Sequence, residues 1–429
     1  MTGSTRSRLL LDLTPFRHSR AFGRLWFGTA LGSIGQEMTV VSVALQVYAL
    51  TSSTFAVSLI AGIALGPIVV MGLYGGTLAD RFDRRWVAII ASVISWVAII
   101  VLTVHAWLGG ESLWLLYVAA TVNSVAGTVG GITRRAIIPR LLPRELLPAA
   151  GALNGINMGL MATAGPLLAA AAVSVGGFQA AFLVDAVLHT AAFLGVWSLP
   201  ALRPQDSTST NPLRAVRDGL AYLRRASNIR FALSVDLVAM AFAQPRVLYP
   251  ALGAITLGGG VTTVGVLSAA FAAGSVLSAL FSGWTGRVRR QGVAILVVSY
   301  IYAAAIATAG LVLLAAVLWP RDGVHLIAIV ALGVVLAIGG AADGISAIFR
   351  GAILQAAVPD HLRGRMQSIF SIIVTGGPRV GDVVTGAVAS LFAVWSPLIA
   401  GGLAMLLVIW LLARRAPTFT QYDRDKPAP

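Results

Sequence analysis

No cysteine occurs anywhere in the 429 residues, which excludes disulfides and thiol chemistry. Charge is almost as scarce: Asp, Glu, Lys and Arg make up 11% of the chain, against about 25% in soluble globular domains. A large soluble core therefore does not account for a chain that is 57% hydrophobic. The five histidines are scattered and give no metal site. There is no G-x-x-x-x-G-K-[ST] sequence to cradle phosphates, which argues against ATP-driven pumping. Residues 1–24 carry five arginines and Asp12, with no small-residue cleavage site after the first apolar run. They read as a cytoplasmic tail rather than a cleaved signal. Nothing points to an enzyme, and no cofactor is implied.

Long runs without charge are abundant instead: 38–79, 86–110, 146–184, 247–286, 291–320 and 383–413. A bilayer-spanning helix needs roughly 20 apolar residues, so several runs hold one span and others nearly two. A β-barrel would show short alternating strands. The chain reads as an all-α membrane protein with twelve transmembrane helices. They fall near 25–49, 54–79, 86–107, 112–133, 149–175, 178–200, 231–256, 262–285, 293–318, 325–349, 367–393 and 396–413. With the N-terminus inside, 28 of the 31 basic residues fall in the tails and the even-to-odd loops. Only Arg321 falls outside, and Arg246 and Arg379 within spans. That is the positive-inside pattern, so the net charge of +15 signals topology rather than nucleic acid. Eight tryptophans (Trp26, Trp86, Trp107, Trp114, Trp197, Trp284, Trp319 and Trp395) sit near span ends, at headgroup level.

The polar stretch PQDSTSTNP opens the longest hydrophilic segment. Asn211-Pro212 then offers a helix start, and Leu213, Val216, Leu220 and Leu223 face away from Arg214, Arg217, Arg224 and Arg225. This predicts an amphipathic helix on the inner membrane surface. It divides the chain into a six-helix bundle with its tail (1–202), a linker (203–230) and a second six-helix bundle (231–429). The bundles read as pseudo-repeats. Pro143-Arg144-Glu145-Leu146 and Pro359-Asp360-His361-Leu362 are offset by the same interval that carries Gly165 onto Gly381. Repeated halves around a shared site are a common transporter plan.

Between spans 2 and 3 the chain spends five charges in six residues. Gly76-Thr77-Leu78-Ala79-Asp80-Arg81-Phe82-Asp83-Arg84-Arg85 resembles the G-x-L-A-D-R-x-G-R-R signature of the major facilitator superfamily. In that family the motif locks the two halves together on the cytoplasmic side. The resemblance implies that Gly76, Asp80, Arg81, Arg84 and Arg85 form a gating motif. Asp80 would meet a helix N-terminus in the other half, where the dipole favours a carboxylate. Asp83 replaces the second glycine, and the echo Gly283-Trp284-Thr285-Gly286-Arg287-Val288-Arg289-Arg290 has Arg287 in the aspartate's place. Phe22-Gly23-Arg24-Leu25-Trp26, Leu45-Gln46-Val47-Tyr48-Ala49-Leu50-Thr51, Arg246-Val247-Leu248-Tyr249-Pro250-Ala251-Leu252 and Pro359-Asp360-His361-Leu362-Arg363-Gly364-Arg365-Met366 resemble the enterobactin-exporter branch, close to macrolide-efflux proteins. Gly165-Pro166 resembles the antiporter motif of span 5, where small residues let helices approach closely.

Ionisable groups inside a bilayer are costly and usually face a cavity. Glu37 lies midway along span 1. Burial disfavours the charged form of a carboxylate, so Glu37 is the first candidate for proton coupling, against a structural hydrogen bond. Asp236 and Asp343 are as readily structural. Asp185 and His189 are four apart on one helical face and are expected to pair or to share in coupling. Arg379 and Asp382, three apart, read as a self-neutralising pair. Arg246 needs a carboxylate or an anionic ligand, and substrate contact and an internal salt bridge are both open. With Gln244, Tyr249 and Asn123 it makes up the substrate-cavity candidates.

The resemblance implies a monomeric secondary transporter of a bacterial cytoplasmic membrane, with both termini inside. Its partners would be the bilayer, protons and a small amphipathic substrate. A siderophore leads as the exported molecule and hydrophobic drugs follow. An uncoupled facilitator or a non-transporting receptor on the same fold are the rivals.

Overall fold

The computed structural model describes residues 12–200, 212–359 and 362–424. The first part of the expected linker, together with Asp360 and His361, lies outside the described residues. Every regular element among them is helical, and a helix satisfies its own backbone groups where no water can.

The first half contributes α1 (Arg20–Thr51), α2 (Thr54–Arg81), α3 (Arg84–Trp107) and α4 (Leu113–Leu141). Serines start three of these helices: Ser19, Ser53 and Ser112 each accept a backbone N–H three residues on, which satisfies an orphan donor of the first turn. The stretch Leu147–Trp197 is continuous except at Gly176 and Gly177, whose backbone is not helical. Gly177 has φ +69°, open to glycine at little cost, and the chain reverses there. The two pieces are α5 (147–175) and α6 (178–197), meeting where the sequence separates spans 5 and 6.

The amphipathic helix α7 (Pro212–Arg225) follows, then α8 (Ser227–Phe242), α9 (Gly260–Leu280), α10 (Gln291–Leu318), α11 (Leu326–Ala357), α12 (Arg363–Leu391) and α13 (Ser396–Arg415). Nine stretches among the described residues are long and apolar enough to cross a membrane. One of them, Arg144–Trp197, holds both α5 and α6. With α1 and α12, 32 and 29 residues long, the crossings come to twelve. At 1.5 Å rise per residue, α1 and α12 exceed the roughly 30 Å hydrocarbon core. Val97, Val187, Leu311, Val330 and Leu403 are large and exposed, an inverted surface suited to lipid.

Small residues set the helix spacing. A Cβ on Gly28 would fall 2.8 Å from the Ala191 carbonyl, and one on Gly32 2.6 Å from Ala192 Cβ, so α1 lies directly on α6. The two halves touch mainly where α2 meets α12 and α5 meets α9. On α7, Leu223 is buried and packs with Met366 and Ile369 of α12, while Arg214, Arg217, Arg224 and Arg225 are exposed.

The reading of 231–256 as one span holds for the crossing, but the helix within it is broken. Helix α8 stops at Phe242, and residues 243–245 are non-helical before the short turn Arg246–Leu248. Pro245 and Pro250 remove two backbone donors, and Tyr302 Oη donates to the Ala243 carbonyl at 2.7 Å, satisfying one group freed by the break. Two helices also run further than expected, α4 to Leu141 and α11 to Ala357. Arg134 and Arg350, assigned to loops in the basic tally, therefore lie within helices.

The segment after α13 folds back as a clasp. Phe419 is fully buried and packs tilted against Phe231, ring centroids 4.2 Å apart, and a Cβ on Gly292 would run into the Phe419 carbonyl. Asp423 pairs with Arg289 at 2.9 Å, so the echo loop that lacks its own aspartate takes one from the tail. Phe419→Leu is expected to cost about 1–2 kcal/mol, seen as a lower melting temperature of the purified protein. An unchanged melting point would mean that the clasp contributes nothing.

Candidate functional site

The break after α8 is followed at once by a charge. Arg246 opens the turn beyond the break, and its Nη2 donates to Glu37 Oε1 on α1. The Glu37 side chain is 13% exposed and that of Arg246 48%, because the guanidinium faces a cavity. Gly165 makes room for the acid, since a Cβ there would lie 2.6 Å from Glu37 Cβ. A similar contact recurs in the second half, where a Cβ on Gly381 would fall 2.6 Å from Gln244 Cγ. The Glu37–Arg246 ion pair thus joins the two halves midway along α1.

Two cavities meet at this pair. One, about 340 Å³, extends toward Ala44, Val57 and Val247 and includes Asn123, Arg379 and Asp382. The other, about 500 Å³, extends toward the arginine-rich end past Gly155, Ser275 and Ala279 and includes Gln244, Pro166, Tyr302 and Asp343. Glu37, Met161, Arg246, Tyr249, Ser268 and Pro378 line both. The four substrate-cavity candidates therefore converge: Arg246 and Tyr249 at the junction, Asn123 on one side and Gln244 on the other. Asn123 is itself held by a hydrogen bond from Ser95 Oγ.

Two expected pairings are different in the structure. Asp185 and His189 are both buried but do not bond to each other. Asp185 Oδ2 accepts from Thr39 Oγ1 at 2.5 Å, because α1 packs close enough to offer a hydroxyl, and neither His189 nitrogen has a partner. Arg379 and Asp382 form no ion pair. Arg379 Nη1 turns back to the Thr375 carbonyl of its own helix, leaving buried Asp382 Oδ1 without a hydrogen bond in the cavity that Arg246 faces. Asp236 points away from the cavities and pairs at 2.8 Å with Arg350, which also reaches Asp343 at 3.6 Å and donates to Ser346 Oγ at 2.6 Å.

In the expected gating motif, Arg84 Nη1 donates to the Ala136 carbonyl at 2.9 Å and Arg85 Nη2 to the Trp197 carbonyl at 2.8 Å. Asp83 caps α3 by accepting the Arg85 N–H at 2.9 Å. These bonds stitch α3 to the ends of α4 and α6 within the first half. Arg81 is exposed, while the side-chain surroundings of Gly76 and Asp80 lie outside the described residues.

Arg134 and Arg350 escaped the sequence reading because a loop arginine and an arginine within a membrane helix look alike in a string of letters. One signal was available for Arg350: Asp343, Ser346 and Arg350 recur at helical spacing, so that one face carries an acid, a hydroxyl and a base.

The description transmembrane secretion effector belongs to a family that matches residues 11–427. An enterobactin exporter of Citrobacter koseri is 26% identical over 426 residues, covering 99% of this chain and 98% of that protein. One of Shigella boydii is 27% identical over 405 residues, covering 94% and 93%. Among solved structures, a nucleoside transporter mutant superposes with a TM-score of 0.72 at 14% identity, covering 92% of this chain and 99% of that one. A POT family transporter in complex with 5-aminolevulinic acid gives 0.75 at 12% identity, covering 94% and 98%. At these identities the likeness of structure speaks for the fold.

Proposed function

Because the chain belongs to the transmembrane secretion effector family of the major facilitator superfamily, we propose that it exports a small amphipathic molecule of the siderophore class, driven by protons that exchange at Glu37. The observation that carries this reading is the Glu37–Arg246 pair, set between the halves with a cavity on either side. A proton on Glu37 cancels its attraction for Arg246 and loosens the tie between the halves. Residues 1–202 and 231–429 would then rock about the junction, exposing one cavity and then the other. The catecholate end of a siderophore brings aromatic rings and phenolic oxygens. Arg246, Gln244 and Tyr249 suit that chemistry together.

A multidrug reading has one observation in its favour. The Asp343 side chain is 38% exposed in the larger cavity, where it could meet a cationic amine. Arg246→Ala separates the two: siderophore release should fall by at least tenfold while macrolide tolerance stays near normal. Intact release with altered macrolide tolerance would favour the drug pump.

Export also requires an orientation, which we place with both termini in the cytoplasm. Since the chain has no cysteine, single introduced ones report cleanly. Ser207→Cys should react with an impermeant thiol reagent only in inverted vesicles, and Asp322→Cys only in intact cells. Labelling of Ser207→Cys from outside would reverse the direction of transport.

A further inference from the structure

A third cavity, about 160 Å³, lies wholly within the first half, walled by α1, α4 and α5. It runs from Phe22 and Trp26 near the arginine-rich end to Gln36 and Met161, which also line the central cavities. It is thus a side groove of the central path. Its charged lining consists of Arg134 and Arg135, and no Asp or Glu is among the described residues that line it.

Neither arginine makes an ion pair among the described residues. Arg134 Nη2 donates to Ser92 Oγ at 2.9 Å, while its Nε is buried without a partner. Asn157, 4% exposed, lines the same groove with its Oδ1 also unpartnered, and an amide carries donors that such an orientation can turn inward. Guanidinium within a membrane helix is costly unless neutralised. A fixed cation lining a groove, with no acid among the described residues that line it, calls for an anion from elsewhere.

We propose that this groove is a binding site for a small oxyanion, a carboxylate or phosphate group, held by the Arg134 and Arg135 guanidiniums with the amides of Asn154 and Asn157. Guanidinium forks match the geometry of such groups. The volume suits an acidic head or arm rather than a whole siderophore. Two sources carry this chemistry: an acidic group of the exported molecule entering along the groove, and the phosphate of a lipid headgroup. Only the identification with the exported molecule rests on the transport reading above. The site itself is tested by binding, so its failure leaves that reading untouched.

The lining supplies its own test. A Cβ on Gly131 would meet nothing within 4 Å, and residue 131 stands three and four positions before Arg134 and Arg135, the spacing at which helical side chains meet. Gly131→Asp therefore places a tethered carboxylate where the free anion would sit, and Gly131→Asn is its neutral control. Asn154→Asp brings an acid from α5 with no change of shape, in case the glycine substitution disturbs folding.

The full-length protein in neutral detergent is melted with and without salicylate or inorganic phosphate, and in nanodiscs of phosphatidylglycerol against phosphatidylcholine. At a concentration ten times the Kd a bound anion should raise the melting temperature by about 2 °C. Gly131→Asp or Asn154→Asp should abolish the rise, and Gly131→Asn should keep it. A rise with the soluble anions assigns the site to a solute, and a rise with phosphatidylglycerol alone assigns it to lipid; both support the site. No rise with any probe, a rise that survives the acidic variants, or one lost equally in Gly131→Asn overturns it.

Discussion

Proteoliposomes carrying Glu37→Gln are expected to bind a catecholate siderophore and let it run down its own gradient, yet fail to concentrate it when a proton gradient is imposed. Accumulation should fall to that of the wild-type protein treated with an uncoupler, a loss of at least tenfold. Glutamine keeps the shape of the side chain, and its carbonyl still accepts from Arg246, so the site survives. What it cannot do is take up and give back a proton. The arginine should tolerate the change, because it is half exposed to the cavity and Asp382, with an oxygen free of hydrogen bonds, lies in that same cavity. If the variant still concentrates substrate, coupling runs through another acid. Asp382 and Asp343 are the next to replace, since they line the cavities. Asp185 and Asp236 come after these, as each faces a helix neighbour instead of the path.

The largest expected effect on stability belongs to Arg350. Its side chain is 7% exposed and that of Asp236 2%, so the pair has left both water and headgroups. Removing one member of such a pair costs about 3–5 kcal/mol, because the other charge is left buried and alone. Arg350→Gln should therefore melt well below the wild-type protein, or fail to accumulate in the membrane. Asp236→Asn added to Arg350→Gln should recover most of the loss, since two neutral polar groups can bond to each other and to Ser346. Asp343 does not rescue the single variant, because it sits 3.6 Å from Arg350 and is itself an acid. If the single and double variants prove equally unstable, Arg350 acts through shape rather than charge.

These two residues mark what could be read from the letters. Where a span is uniformly apolar, as in α3, its limits are legible: the expected 86–107 became Arg84–Trp107. The reversal at Gly176 and Gly177 was legible too, because glycine pairs punctuate helices. Failures cluster where charge enters a helix. Arg134 and Arg350 were cut off from their spans because sequence analysis gives arginine to the headgroups, and only a third dimension supplies Ser92 or Asp236. The local pairings of Asp185 with His189 and of Arg379 with Asp382 failed for a related reason. Spacing of three or four residues says that side chains can meet, but a neighbouring helix or a backbone carbonyl can offer a better partner. Glu37 and Arg246, each picked out as costly, are 209 residues apart, so no local pattern could join them.

The clasp at the end of the chain bears on how the protein is made. Phe419 fits against Phe231 and Gly292, which are translated and inserted long before it. Until residues 419–423 have been made, Phe231 lacks the Phe419 ring and Arg289 lacks Asp423. The second half therefore cannot finish its arginine-rich end until residues 419–423 have followed the rest of it out of the ribosome. Chains that stop early, or carry a tag fused too close to Tyr422, keep an apolar socket open to the proteases and chaperones that sort unfinished proteins.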